Sequence, residues 1–178
     1  MLIGAEVLLK LVKENKLVEN LSERELTNPE GAGFDIRVGE VFKLKSGSYL
    51  GITERQTSEI ETVAKIGEDK SYTLKPGEYI LVKTMESFNV PSDLAMITYP
   101  RSTLQRGGVL LLCTQTAPGY KGELTFGLKN LGEHDYTFEL GARLFHVMFH
   151  EVEGKAVREY EGQWKGGRVS TGGKETQN

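Results

Sequence analysis

A mainly β fold, a barrel or jelly-roll-like sandwich carrying one N-terminal helix, is what this sequence predicts. Three observations lead there. Apolar and polar residues alternate over many short runs, the period of a half-buried strand. Glycine far outnumbers proline, 21 against 5, and the glycines are spread along the chain, as turns between many short strands require. Only one stretch, near the N-terminus, has a clear helical period.

That stretch is Ala5 to Glu14, where Ala5, Leu8, Leu9 and Val12 share one face; the spacing predicts a helix over about residues 4–15 that packs its stripe on the body of the domain. Residues 17–26 are amphipathic but short, and Asn28-Pro29 ends them. Phe34, Ile36 and Val38 alternate with Asp35 and Arg37, a strand with one apolar and one charged face; read in isolation, Asp35 and Arg37 form a solvated ion pair. Residues 40–72 read as short strands around a Ser-Gly-Ser turn and a long polar excursion without a catalytic constellation. Lys75-Pro-Gly-Glu78 is a turn with proline at a favoured position, and Tyr79 to Thr84 is a strongly apolar strand. Phe88 to Asp93 turns the chain into the strand Leu94 to Tyr99, which Pro100 ends. Val109 to Cys113 reads as a buried strand and Thr114 to Tyr120 as a loop. In Lys121 to Lys129, Leu124, Phe126 and Leu128 take one face; Glu123, Thr125 and Gly127 take the other. Tyr136 to Leu140 and Arg143 to Val152 are two more strands. The domain organisation expected is one unit over 1–159 and a glycine-rich tail over 160–178, which reads equally as a lid over a ligand or as a mobile tail.

The 178 residues suit a single domain. With 22 basic and 25 acidic residues the net charge is −3, which argues against nucleic acid as a partner. No apolar run approaches the ~20 residues of a membrane span, and the N-terminus has no signal-peptide pattern. One cysteine, Cys113, excludes an internal disulfide. A cytoplasmic protein without a membrane partner is expected. The single cysteine also argues against a zinc deaminase site, which needs two thiolates. His146 and His150 lie roughly 13 Å apart along an extended strand, too far to share one ion. Neither a nucleophile elbow nor a Walker A loop is present. No metal-ligating residue is nominated.

The densest chemistry is Arg101-Ser-Thr-Leu-Gln-Arg-Gly-Gly108: two guanidinium groups, two hydroxyls and two glycines within eight residues. Guanidinium forks fit phosphate oxygens. Hydroxyls add short donors, and glycines let backbone N–H groups come close to a ligand. A helical surface turn with solvated charges fits the stretch equally well.

Five islands in one order weigh on that choice. They are Gly33-Phe-Asp-Ile-Arg-Val-Gly39, residues 101–108, Pro118-Gly-Tyr-Lys-Gly-Glu-Leu124, Gly141-Ala-Arg-Leu144 and Tyr160-Glu-Gly-Gln-Trp-Lys-Gly-Gly167. Together they resemble the trimeric dCTP deaminase and dUTPase family over nearly the whole chain. The N-terminal helix is more like the deaminase branch. The resemblance implies a distorted dUTPase-like jelly roll, a homotrimer with sites between subunits, and a deoxynucleoside triphosphate ligand whose phosphates carry Mg2+. It implies catalytic roles for Ser102 and Arg106. It implies nucleotide contacts from Arg101, Ser102, Thr103, Gln115, Ala117, Tyr120, Thr125 and Tyr160, and from the tail residues Gln163 and Lys165, which stand exchanged relative to the family. Asp35 matches a family aspartate of structural or functional role.

Two departures accompany the match. Where dUTPase-type members carry the aspartate that orients the attacking water, this chain has Ala117. Where deaminase-type members carry a glutamate acting as general acid and base, it has Gly127. A methyl group and a hydrogen move no protons. Three expectations stand: zinc-independent deamination of dCTP to dUTP; hydrolysis of dUTP to dUMP and pyrophosphate; or a nucleotide-binding trimer with impaired chemistry.

Overall fold

The computed structural model describes residues 1–154 and 156–177. Lys155, within the expected domain, and Asn178, the last residue of the expected tail, lie outside them. The chain opens with α1 (Ala5–Asn15), whose Leu8 is fully buried. It ends at Lys16 in the left-handed region (φ 53), whose N–H reaches back to the Val12 carbonyl. Next come β1 (Val18–Glu19) and α2 (Glu23–Thr27), the latter capped by the Ser22 hydroxyl, which accepts from the Glu25 N–H. Then follow β2 (Phe34–Leu44), β3 (Tyr49–Leu50), β4 (Glu54–Gln56), β5 (Ile60–Lys65) and β6 (Ser71–Leu74). The second half holds β7 (Tyr79–Asn89), β8 (Leu94–Pro100), α3 (Ser102–Arg106), β9 (Val109–Leu112), β10 (Lys121–Asn130), β11 (Tyr136–Glu139), β12 (Arg143–Glu151) and β13 (Glu175–Thr176). The mainly β class stands, with the long N-terminal helix in place. Of the two five-residue helices, α3 realises the helical turn that the 101–108 stretch allowed, while α2 is an addition within the short amphipathic run, too short to show a periodic apolar stripe.

The main sheet has eight strands in the order β8-β12-β2-β7-β10-β9, with β1 on β7 and β5 on β2. Its two ends meet. Met96 on β8 and Thr116, just after β9, exchange backbone hydrogen bonds of 3.0 and 2.9 Å, so the sheet nearly closes into a barrel. This junction fixes the loop that follows β9. Inside, the expected alternation holds. Phe34, Ile36 and Val38 face Leu124, Phe126 and Leu128 in one core, and Phe126 packs on Phe145 with ring centroids 4.7 Å apart. Each such side chain contributes about 1.5–3 kcal/mol by leaving water. No helix among the described residues is long and apolar enough to cross a membrane.

The charged face of β2 departs from the sequence reading. Asp35 and Arg37 do not pair with each other in solvent. Asp35 is 6% exposed and takes Arg101 at 3.0 Å, Arg143 at 3.2 Å and His146 at 3.0 Å. Arg37 instead binds the fully buried Glu86 at 2.7 Å. The reason is that Glu25 of α2 and Arg101 at the start of α3 lie against Asp35, while Glu86 of β7 and the Asn20 carbonyl lie against Arg37, and a buried charge must find its own partner.

Candidate functional site

Outside the barrel, β7 and β10 run side by side with Leu81 opposite Gly127 and Lys83 opposite Thr125. Their outward side chains form one wall of a cavity of about 570 Å³. The loop 114–117 forms a second wall. Thr116 is held by its bonds to Met96, while the backbone N–H and C=O of Thr114 and Gln115 make no hydrogen bond among the described residues. These groups are left for a ligand edge.

The tail supplies the roof. Its Tyr160 N–H donates to the Pro118 carbonyl at 2.8 Å, and the Tyr160 ring lies 5.6 Å from that of Tyr120. Burial, and then the neighbouring Tyr160 and Glu123, push the Tyr120 phenol up to about 12. Further on, the Gly166 N–H donates to the Lys121 carbonyl at 2.6 Å. This approach needs Gly122: its φ is 122°, and a Cβ there would stand 2.4 Å from the Gly167 nitrogen. Thr171 and Thr57 then exchange bonds of 2.9 and 3.0 Å, and β13 pairs with β4. Thus the excursion 40–72, which shows no chemistry in the sequence, is where the tail docks.

Of the residues singled out in the sequence, Gln115, Ala117, Tyr120, Thr125 and Tyr160 line this cavity. Arg101 and Thr103 instead line a smaller one, about 290 Å³, with Tyr136, Glu139 and Arg143. Ser102 and Arg106 are exposed on α3, and among the described residues Arg106 has no ion pair, while the Arg101 guanidinium is engaged by Asp35. Lys165 bonds Glu161 at 2.7 Å; neither it nor Gln163 is among the lining residues. His146 is a partner of Asp35 rather than a ligand in waiting.

Sequence reasoning missed Tyr79, Trp164 and Arg168, all of which line the cavity. Arg168 is the only charged lining residue, and no aspartate or glutamate lines it among the described residues. A glycine inside a strand, Gly127, marks a close approach by something else, but does not name Tyr79 as the residue that approaches.

Three comparisons with known proteins accord with this geometry. A protein-family model described as dCTP deaminase-like matches residues 2–152. A probable deoxyuridine 5'-triphosphate nucleotidohydrolase of Methanothermobacter thermautotrophicus is 32% identical, with 93% of this chain and 99% of that protein covered. A dUMP-forming dCTP deaminase of Dictyoglomus thermophilum is 27% identical, covering 90% of this chain and 85% of the other. Among solved structures, a 2'-deoxycytidine 5'-triphosphate deaminase from Agrobacterium tumefaciens superposes with a TM-score of 0.66 at 16% identity. That match covers 85% of this chain, which spans 49% of the length of that structure; it bears on the fold.

Proposed function

We propose, from the premise that this chain belongs to the dCTP deaminase-like family, that it is a hydrolase of the dCTP deaminase type, converting dCTP to dUTP without zinc. The observation that carries the reading is the cavity itself. Its apolar wall suits a flat ring, and the open backbone groups of Thr114 and Gln115 suit a pyrimidine edge. Tyr120 and Tyr160, whose rings meet at a tilt of 52° in the lining, suit the sugar.

In this reading water adds to C4 of cytosine and the amino group leaves as ammonia. Arg106 and Ser102 hold and activate that water, Arg106 also pairs with the triphosphate, and Arg101 and Thr103 steady the phosphates. Gln115, Ala117, Tyr120, Thr125, Tyr160, Gln163 and Lys165 contact the nucleotide. Magnesium enters as part of the substrate, bound to the triphosphate; no three acidic, His or Cys side chains converge on an ion among the described residues.

Because α3 does not line the base cavity of its own chain, its side chains serve a neighbouring copy. A homotrimer is the assembly proposed. Ile97 and Tyr99 on β8 and Leu110 and Leu112 on β9 are 36–48% exposed on one outer face, the kind of apolar surface a second copy covers. We place the protein in the cytoplasm, where its single thiol stays reduced.

One observation favours a second reading. General acid–base help is worth roughly 10²–10⁴ in rate, and among the described residues the cavity lining carries no carboxylate. A nucleotide-binding trimer with impaired turnover satisfies that lining; hydrolysis of dUTP to dUMP and pyrophosphate is the reading nearest the Methanothermobacter relative. Pure protein incubated with dCTP or dUTP and magnesium, followed by chromatography, separates the three. Appearance of dUTP from dCTP is the expected result; dUMP with pyrophosphate supports the phosphatase reading, and tight binding without either product supports the impaired one.

A further inference from the structure

The Tyr79 ring lies across Gly127. A Cβ built at Gly127 would stand 2.4 Å from the Tyr79 hydroxyl and 2.9 Å from its ring carbon Cε2. No side chain at 127 and the tyrosine can hold that space together. The wall is thus finished by a residue from the adjacent strand, reaching over from the position opposite Lys129.

We infer that Tyr79 is the specificity-determining residue that reads the 4-position of the pyrimidine ring, standing where a side chain at 127 would otherwise reach. This rests on the proposed nucleotide reading of the cavity. Tyr79 lines the cavity together with Leu81 and Thr125 of the same wall. Its hydroxyl has no hydrogen-bond partner among the described residues, and the buried Thr125 Oγ1 likewise has none; two hydroxyls on one wall flank the side-chain-free Gly127. Burial raises the Tyr79 phenol, so it stays neutral at physiological pH.

A neutral hydroxyl has a consequence that a carboxylate does not. It donates one hydrogen bond and accepts others by rotating, whereas an ionised carboxylate only accepts. A carboxylate selects the 4-amino group of cytosine. Tyr79 donates to the 4-oxo group of uracil or accepts from the amino group of cytosine. The substrate class is therefore both deoxypyrimidine triphosphates, bound with similar strength.

The experiment is calorimetric binding of dCTP, dUTP and inorganic triphosphate, each with magnesium, to the wild-type protein and to Tyr79→Phe, which removes only the hydroxyl. The wild type is expected to bind the two nucleotides within about tenfold of each other. Tyr79→Phe is expected to weaken both by about 2–10-fold, one neutral hydrogen bond, and to leave inorganic triphosphate unchanged. Gly127→Ala, whose methyl must expel the ring, should weaken both nucleotides at least as much and lower the melting temperature. Adding Tyr79→Ala to it should restore the melting temperature. Unchanged nucleotide affinity in Tyr79→Phe, or a wild-type preference above about a hundredfold, overturns the inference while leaving the nucleotide reading intact. Failure of the wild type to bind either nucleotide removes the reading beneath it.

Discussion

The cavity over β7 and β10 has one charged side chain on its walls, Arg168, and no acid among the described residues. The cluster where β2, β12 and the ends of α2 and α3 meet is the reverse. There Asp35 and Glu25, both buried, face Arg24, Arg101 and Arg143, with Arg143 bridging the two carboxylates at 3.2 and 3.3 Å. The contrast teaches where this chain spends its charge. Buried ions must be paired to persist, so the carboxylates of the cluster are occupied and cannot also serve a substrate. Apart from Arg168, the cavity is lined by uncharged side chains and is shaped for an uncharged ring. One member of the arginine motif escapes: Arg106, two helical positions past Leu104, is exposed and unpaired among the described residues.

The sharpest way to break the contrast is Asp35→Ala. It leaves Arg101 without its carboxylate and Arg143 with Glu25 alone. Because the arginines are about a third exposed (31–32%), the loss is expected at about 2–3 kcal/mol, below the range for a fully buried pair. Urea denaturation measures it. A change under about 1 kcal/mol would show the cluster to be ordinary surface charge.

Arg106→Ala should do the opposite. Folding stability stays within about 0.5 kcal/mol, as for a surface change, but affinity for a magnesium-bound deoxypyrimidine triphosphate falls roughly 10–100-fold through loss of a charged hydrogen bond. Titration calorimetry on the assembled protein reads this directly. Undiminished affinity would take Arg106 out of the phosphate site.

These two arginines also mark how far the sequence could be read. Alternation at Phe34, Ile36 and Val38 and at Leu124, Phe126 and Leu128 located the core, because strand burial is a local, period-two property. The helical stripe of α1 was legible for the same reason. The cavity's loop residues Gln115, Ala117 and Tyr120 were reachable through motif resemblance. The partners of Asp35 were not: Arg101, Arg143 and His146 come from 66, 108 and 111 positions away, and nothing in a two-residue alternation names them. Tyr79 was hidden in a run that reads as plain strand. Its role depends on the absent side chain of Gly127 across the sheet, a relation between two strands rather than within one.

A smaller effect tests the roof. Gly122→Ala forces a left-handed backbone on a residue with a Cβ and drives that Cβ into the Gly166–Gly167 backbone. The expected cost is about 1–2 kcal/mol, local to the tail. Limited trypsin digestion should then cut at Lys165 and Arg168 several-fold faster than in the wild type, with cleavage of the barrel unchanged. Equal rates would mean that the tail is held by its β13 and Thr171 contacts alone.

The smallest effect is in acid, because two carboxylates on this side of the barrel act with opposite sign. Burial is the strongest single influence on Asp35, yet the His146 hydrogen bond and the charges of Arg101 and Arg143 together outweigh it, and its carboxyl titrates below the ordinary 3.8. Its stabilisation is complete above that ordinary value and is lost as pH falls through the lower folded one. Glu86 is the converse: burial dominates, the Arg37 bond offsets only part of it, and the carboxyl is raised above 4.5. A raised acid binds its proton first in the folded state, so acidification through that higher value stabilises the fold. Lowering the pH from 7 should therefore raise the urea midpoint slightly before it falls below about pH 4. Glu86→Gln should erase the rise and keep the fall. A monotonic decline in the wild type would mean that the Arg37 pair, not desolvation, governs Glu86.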